Sequence, residues 1–172
     1  MLSEKIQKAI NTQIKEEEHS SRLYLSMASW CEVNGYPGAA AFLYEHSDEE
    51  RMHQMKLFKF LNDRGGHAIT SALEEPASEF DSLQDVFEKV FEHEKFITGC
   101  INDLVGLSMK ENDFTTANFL QWYVTEQIEE ESMMSTILDK FRLADGIKGG
   151  MFHMDKELEG MAAPIAGAGG GV

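Results

Sequence analysis

Four long stretches of this sequence repeat apolar side chains with the period of an α-helix, and their length limits the fold more than any other feature. The pattern predicts helices over residues 3–34, 37–64, 82–110 and 114–143, with a short fifth helix over 151–159. A helix of ~28 residues is ~42 Å long at ~1.5 Å per residue. Because no segment shows the alternation typical of strands, the sequence predicts an all-α four-helix bundle.

The connections between the predicted helices indicate their directions. Only Gly35 and Tyr36 separate the first two helices, so these helices must be antiparallel neighbours. The segment from Gly65 to about Asp81 has no helical period and contains Pro76. About 16 extended residues span ~50 Å at ~3.3 Å each, which is enough to cross the whole bundle. We therefore expect a long crossover that makes the second and third helices parallel.

The chain is expected to form one domain over residues 1–160, followed by an Ala/Gly/Pro-rich tail over 161–172 that we expect to be disordered. Its net charge of -15 is unsuited to nucleic acid or to anionic membrane surfaces, and it favours cations as partners. No signal-peptide pattern or membrane-spanning apolar run is present. Cys31 and Cys100 have no motif spacing and are expected to be reduced, largely buried thiols in a cytoplasmic protein.

Each of the four long helices carries a carboxylate near the middle of its apolar face. These residues are Glu17, Glu50, Glu94 and Glu130; His53 lies three residues after Glu50, and Gln127 three residues before Glu130. In a bundle, mid-helix side chains meet at one level. Four anions that converge in a core repel one another strongly unless cations neutralise them. Carboxylate oxygens with a single imidazole nitrogen suit iron or manganese, with zinc possible, so the pattern predicts a site for two metal ions.

Each of these residues also has a structural explanation. A buried Glu often indicates a misjudged helix register, and a single His on an apolar face is usually a hydrogen-bonded core residue. Tyr24, which lies on the apolar face of the first helix, could be ordinary packing, and Gln127 could cap a neighbouring polar atom. Four register errors at mid-helix positions would be an improbable coincidence, so the combination favours the metal site.

The same residues give the chain a close resemblance to the ferritins, and among them to the bacterial non-haem ferritins, over residues 1 to about 160. The matching segments are Glu17 with Ser20, Ser21 and Tyr24; residues 38–43; residues 49–53; His93 with Glu94; residues 118–127; and residues 155–158. Ferritin-like carboxylate bundles are a known example of metal sites built on facing helices. The resemblance implies iron storage and a ferroxidase that oxidises Fe(II) to Fe(III) with O2 or H2O2.

The resemblance also implies a role for each matching residue. Glu17, Glu50 and His53 would bind the first iron, and Glu50 would bridge to a second iron held by Glu94, with Glu130 and Gln127 nearby. The residues of a third, auxiliary iron site would be Glu49, Glu126, Glu129 and Glu130. Tyr24 would hydrogen-bond beside the centre and could supply an electron. The subunits would form a homo-oligomeric cage, of 24 chains in the family, that stores ferric mineral.

Two departures from related bundles matter. Symmetric dimetal bundles such as bacterioferritin have Glu-x-x-His on two helices, whereas the second copy here is Gln127-x-x-Glu130. We therefore expect the second iron to be held more weakly than the first. Bacterioferritin binds haem through a Met directly after the bridging Glu; Arg51 occupies that position here, with Met52 one residue further on, so no haem is expected.

Two alternatives share the bundle. A dimetal oxidase or peroxide reductase of the rubrerythrin kind usually adds a Cys-x-x-Cys module, which this sequence does not contain. A non-catalytic ferritin-like shell subunit would lack ligands at the centre, whereas the full set is present here.

Overall fold

The computed structural model describes residues 2–162, and this range contains five α-helices and no strand. The helices are α1 (Glu4–Val33), α2 (Pro37–Asp63), α3 (Leu83–Lys110), α4 (Phe114–Ala144) and α5 (Gly150–Met161). The prediction of an all-α bundle with a short fifth helix is confirmed, and no predicted helix end differs by more than two residues. Of the predicted tail, Met161 ends α5 and Ala162 is buried, and the remainder lies outside the described residues.

Short polar side chains define the helix starts. Ser3 accepts a hydrogen bond from the backbone N–H of Ile6 at 3.3 Å, and Ser82 accepts one from Asp85 at 3.0 Å. These bonds satisfy backbone donors in the first turn that have no partner within the helix. Because the caps fix where each helix begins, they also fix which side chains reach the core.

Contacts between α1 and α3 show their relative direction. Lys5, near the start of α1, pairs with Glu111 just after the end of α3 at 3.2 Å. Further along α1, Ser20 is hydrogen-bonded to His93 in the first half of α3 at 2.7 Å. Along this pair of contacts the residue number rises on α1 and falls on α3, so α1 and α3 are antiparallel. Since α1 is also antiparallel to α2, α2 and α3 are parallel, as the long crossover predicted.

Hydrogen bonds from α1 hold the crossover along the side of the bundle. The Asn11 side chain donates to the carbonyl oxygen of His67 at 3.0 Å and accepts from the N–H of Ile69 at 2.8 Å. Further along the same helix, the Ser26 hydroxyl donates to the carbonyl oxygen of Ala77 at 2.8 Å. The segment that follows α2 therefore runs along α1 toward the start of α3.

The core is divided into two apolar clusters with a polar layer between them. On α1 one cluster reaches Ile14 and the other begins at Tyr24; on α2 the corresponding limits are Leu57 and Leu43. On α3 and α4 the gaps lie between Val90 and Ile97 and between Tyr123 and Met134. The mid-helix carboxylates occupy these gaps. Packing on both sides of the layer fixes the spacing of the helices and hence the size of the polar site.

Two further sequence expectations concern the membrane and the cysteines. None of the helices in residues 2–162 combines the length and the apolar character that crossing a bilayer requires. Cys31 is buried, Cys100 is partly buried, and both are free thiols.

Helix α5 packs against the start of α2 through an unusually close backbone contact. The Asp155 side chain accepts a hydrogen bond from the N–H of Ala39 at 2.9 Å, which places a carboxylate at the N-terminus of α2. At Gly38 a Cβ atom would overlap the backbone carbonyl of Asp155. Gly38 therefore lets the two helices approach closely enough for this hydrogen bond to form.

Replacing Gly38 with Ala should lower the free energy of unfolding by ~1–3 kcal/mol, because the added methyl group must displace α5. The matched control is Gly99→Ala, since a Cβ there meets no atom within 4 Å, and relief of the helix-interior glycine should stabilise by ~0.5–1 kcal/mol. Denaturant unfolding measures both effects, and amide hydrogen exchange should show that α5 loses most protection in Gly38→Ala. Equal stability of the two variants would contradict the close contact.

Candidate metal centre

The six predicted centre residues are all buried in the polar layer. The exposed fractions are Glu17 1%, Glu50 3%, His53 3%, Glu94 1%, Gln127 4% and Glu130 5%. A misjudged register would have left at least some of these carboxylates in solvent, so that alternative is wrong. Buried carboxylates require partners, since an isolated charge in the interior is strongly unfavourable.

Glu17, Glu50 and His53 form the most compact group. The Nδ1 atom of His53 lies 3.6 Å from a Glu50 oxygen and 3.9 Å from a Glu17 oxygen. One donor atom from each of the three residues lies within 4.8 Å of the others, which is a spacing that a single metal ion can bridge. The other Glu17 oxygen accepts a hydrogen bond from Gln13 at 2.9 Å. On α4, Tyr123 donates to the His53 carbonyl oxygen at 2.7 Å, which fixes the backbone that carries the imidazole.

Glu94 is positioned by two side chains from other helices. The Tyr24 hydroxyl donates to one of its oxygens, and the Gln127 Nε2 donates to the other at 3.0 Å. The structural explanation offered for Gln127, that it caps a neighbouring polar atom, therefore holds. The capped atom is an oxygen of Glu94, which belongs to the predicted centre. Glu94 is absent from the compact carboxylate–histidine groups of the described residues, but its charge raises the pKa of Glu50.

The residues predicted for the auxiliary site only partly come together. Glu49 and Glu126 group with His53 within 4.8 Å, and Glu49 also groups with Glu130 and His46. Glu129 is exposed and belongs to neither group, although it lines the same cavity. This cavity of about 510 Å³ has a predominantly acidic rim that includes Glu45, Asp48, Glu49, Glu126, Glu129 and Glu130.

His46 is the polar residue at the site that sequence reasoning did not assign a function. It lies on the apolar face of α2, one turn before Glu50, and is 9% exposed. Its Nδ1 bonds to the Phe42 carbonyl, while its Nε2 lies 4.0 Å from Glu130 Oε2. The available signal was its position four residues before Glu50, which places both side chains on one stripe.

Burial favours the protonated form of the carboxyl groups of this layer by raising their pKa values. It raises the pKa of Glu17 and of Glu50 well above their ordinary values, and the neighbouring carboxylates add to the effect. Burial and the charge of Glu94 raise the pKa of Glu130 to about 9. A divalent cation displaces these protons because it stabilises the ionised carboxylates. The layer is therefore suited to cation binding coupled to proton release.

Comparison with known proteins identifies the family. The family model described as the ferritin-like domain matches residues 7–144 of this chain, which is most of its length. The chain belongs to the ferritin family. Iron storage is the function of this family, and oxidation of Fe(II) at a ferroxidase centre is its activity.

Individual ferritins support the same assignment. The chain is 49% identical to a probable bacterial non-heme ferritin-like protein of Haemophilus influenzae, over 92% of this chain and 96% of that protein. It is 44% identical to the bacterial non-heme ferritin of Campylobacter jejuni, over 94% and 97% of the two chains. Among solved structures, an open pore ferritin from the archaeon Archaeoglobus fulgidus superposes with a TM-score of 0.90 at 46% identity, over 92% and 98% of the two chains. The predicted resemblance to the ferritins is confirmed.

The metal-free protein should become less stable as the pH rises. Because the folded pKa of Glu130 is raised from 4.5 to about 9, its contribution to stability is fully present below about pH 4.5 and is lost as the pH rises toward about 9. The melting temperature of the metal-free protein should therefore fall between about pH 5.5 and about pH 8.5.

The Glu130→Gln variant removes this titration and should show a shallower fall in melting temperature over the same pH range. Glu92→Gln, at an exposed position, is the matched control for loss of one surface charge and should keep the wild-type slope. An identical slope in Glu130→Gln and Glu92→Gln would contradict the assignment.

Proposed function

We propose that this ferritin oxidises Fe(II) at a dinuclear centre built in the polar layer of its own four-helix bundle. The residues of the centre are Glu17, Glu50 and His53 at the first iron, and Glu50, Glu94 and Glu130 at the second, with Gln127 and Tyr24 beside them. The observation that carries this proposal is the burial of one carboxylate from each long helix between two apolar clusters.

The charge of the layer sets the number of metal ions. Four ionised carboxylates are balanced by two divalent cations, and Glu50 is the residue best placed to bridge them, because it contacts His53 and is electrostatically coupled to Glu94. Hard anionic oxygens stabilise Fe(III) more than Fe(II) because the charge is higher. The carboxylates therefore favour loss of one electron from each iron. Two electrons reduce O2 to peroxide, or peroxide to water, with protons that the displaced carboxyl groups supply.

Tyr24 and Gln127 act on the second iron position through Glu94. Both donate hydrogen bonds to the Glu94 carboxylate and favour its ionised form, which is the form that binds metal. The first position has an imidazole ligand in His53, whereas in the second copy of the motif, Gln127-x-x-Glu130, the place of this histidine is taken by the carboxylate of Glu130. The two positions therefore differ in ligand strength, and iron at the second should leave more readily for the mineral.

The acid-lined cavity extends the centre outward. Glu49 and Glu126 line it and group with His53, and the exposed Glu129 lines it as well. We assign these residues, with Glu130, to the auxiliary iron site. A cleft lined by one sign of charge raises the local cation concentration, so this cavity is suited to delivering Fe(II). The substrates of the protein are then Fe(II) and O2 or H2O2.

The surface of the chain is suited to a closed homo-oligomer. Several large apolar side chains are exposed on the isolated chain, and among the most exposed are Val33, Phe114, Ile128, Leu143 and Phe152. Exposed apolar side chains in such number are typical of surfaces that subunits cover. We assign them to the contacts of a cage that encloses the mineral.

The two free thiols are consistent with a reducing compartment. A cytoplasmic location stays a prediction.

Replacing Glu50 or His53 with Ala should slow Fe(II) oxidation by at least about a hundredfold, because loss of either residue removes a ligand that positions the first iron. Stopped-flow absorbance of ferric product, after mixing metal-free protein with Fe(II) in air, measures the rate. Glu92→Ala is the matched control, since Glu92 is an exposed carboxylate outside the centre. Circular dichroism should show wild-type helicity for all three variants. Unchanged oxidation in Glu50→Ala would exclude the proposed centre.

The metal-free protein should assemble as a single large species. Twenty-four chains of 19.4 kDa make a closed particle of about 470 kDa. Light scattering coupled to gel filtration measures this mass directly, and electron microscopy should show a hollow sphere that fills with dense core after iron loading. A stable particle of a few chains that oxidises iron but retains no mineral would favour an oxidase of the rubrerythrin kind.

A further inference from the structure

His46 lies in the wall of the acidic cavity, next to the proposed centre, but it is not part of the centre. One of its ring nitrogens, with one oxygen each from Glu49 and Glu130, lies in a group whose members are all within 4.8 Å of one another. All three residues line the cavity of about 510 Å³. The group contains one nitrogen and two carboxylate oxygens, which is a common ligand set for a divalent transition metal.

Backbone hydrogen bonding fixes the tautomer of His46. Its Nδ1 lies 2.9 Å from the carbonyl oxygen of Phe42, and only a protonated nitrogen can bond to a carbonyl oxygen. In the neutral imidazole the proton is therefore on Nδ1, and Nε2 carries a free lone pair. The Phe42 ring also stacks on the imidazole, with the ring centroids 4.0 Å apart, so the orientation of the ring is fixed as well. Metal-binding histidines commonly use a carbonyl bond of this kind to orient the ligating nitrogen.

The free nitrogen points at an equally unsatisfied oxygen. His46 Nε2 and Glu130 Oε2 lie 4.0 Å apart, which is beyond hydrogen-bond distance, and neither atom has a hydrogen-bond partner in residues 2–162. Both residues are at least nine-tenths buried. A buried donor or acceptor that has no hydrogen-bond partner is unfavourable. Typical metal distances of ~2.0–2.1 Å to nitrogen and ~2.0–2.2 Å to oxygen would let one ion bind both atoms.

We propose that His46, Glu49 and Glu130 form an outer site for a divalent transition metal ion, with His46 Nε2 as its nitrogen ligand. This inference rests on the proposed function and refines it, because it adds an imidazole ligand to an auxiliary site otherwise made of carboxylates. Imidazole is a softer ligand than carboxylate and favours the divalent ion over the trivalent ion. The outer site therefore holds Fe(II) before oxidation rather than ferric product after it.

The shared residue Glu130 connects this site to the dinuclear centre. Its carboxylate faces His46 on one side and is electrostatically coupled to Glu94 on the other. An ion bound at the outer site therefore reaches the second position of the centre while it stays on the Glu130 carboxylate, by exchanging one of the two carboxylate oxygens for the other. His46 is thus a binding residue for the incoming ion, and it takes no part in the electron transfer.

Anomalous diffraction from crystals soaked in Zn(II) tests the site without redox chemistry, because Zn(II) has none. In the wild-type protein we expect one anomalous peak beside His53 and a second within ~2.0–2.2 Å of His46 Nε2. In His46→Gln the second peak should be lost while the peak beside His53 stays. His67→Gln is the matched control, since His67 is an exposed imidazole in the crossover, and both peaks should be retained.

Calorimetric titration with Zn(II) measures the same effect in solution. His46→Gln should weaken the outer site by at least about tenfold and leave the tightest site unchanged. Glu49→Gln removes a second ligand without altering the packing of His46 on Phe42, so it serves as the second variant if His46→Gln fails to fold. It should weaken the same site.

The outcomes separate this proposal from the proposed function. A filled site at His53 with no peak near His46 Nε2, or an outer peak that persists unchanged in His46→Gln and Glu49→Gln, would overturn the outer site alone. No peak at Glu17, Glu50 and His53 would overturn the dinuclear centre itself.

Discussion

The repulsion between carboxylates in one buried layer is the interaction on which the rest of this structure depends. Each long helix contributes one glutamate to that layer, and the side chains are 1–5% exposed. The interior lowers the dielectric screening that water would provide, so in the metal-free layer the protonated carboxyl groups are favoured. In the centre that we propose, two divalent ions replace those protons and turn the least favourable part of the core into a binding site. The fold must hold this layer in place in both states.

The division of the core into two apolar clusters explains how the fold does so. Tyr24, Phe42 and Phe87 pack on one side of the layer, and Ile10, Leu57 and Tyr123 pack on the other. Burial of such side chains contributes ~1.5–3 kcal/mol each, so the two clusters supply most of the favourable burial energy of the bundle. The polar layer therefore adds little to stability, and its residues are free to be chosen for iron. Ligand positions are set by rigid helices, which limits how far they can move on metal binding.

Much of this arrangement was predictable because it depends on local sequence. Helix ends followed from caps and glycines, and the crossover followed from a long segment without helical period that contains Pro76. The buried acids followed from mid-helix positions on apolar stripes. The docking of α5 depends on Asp155 meeting the N–H of Ala39, a contact between residues far apart in sequence that no local pattern encodes. His46 was visible on its stripe, but its free nitrogen depends on the Phe42 carbonyl, and a tautomer cannot be read from spacing.

The types of candidate ligand change along the path from the cavity to the polar layer. The cavity wall is rich in carboxylates that attract Fe(II) from solution, and the imidazole of His46 lies where the cavity meets the layer. Beyond Glu130 the ligands of the proposed second position are carboxylates, and the Gln127 Nε2 donates a hydrogen bond to Glu94. Ligands that prefer the divalent ion thus precede ligands that prefer the trivalent ion. In the arrangement that we propose, the same helix faces that collect Fe(II) therefore also determine where it is oxidised.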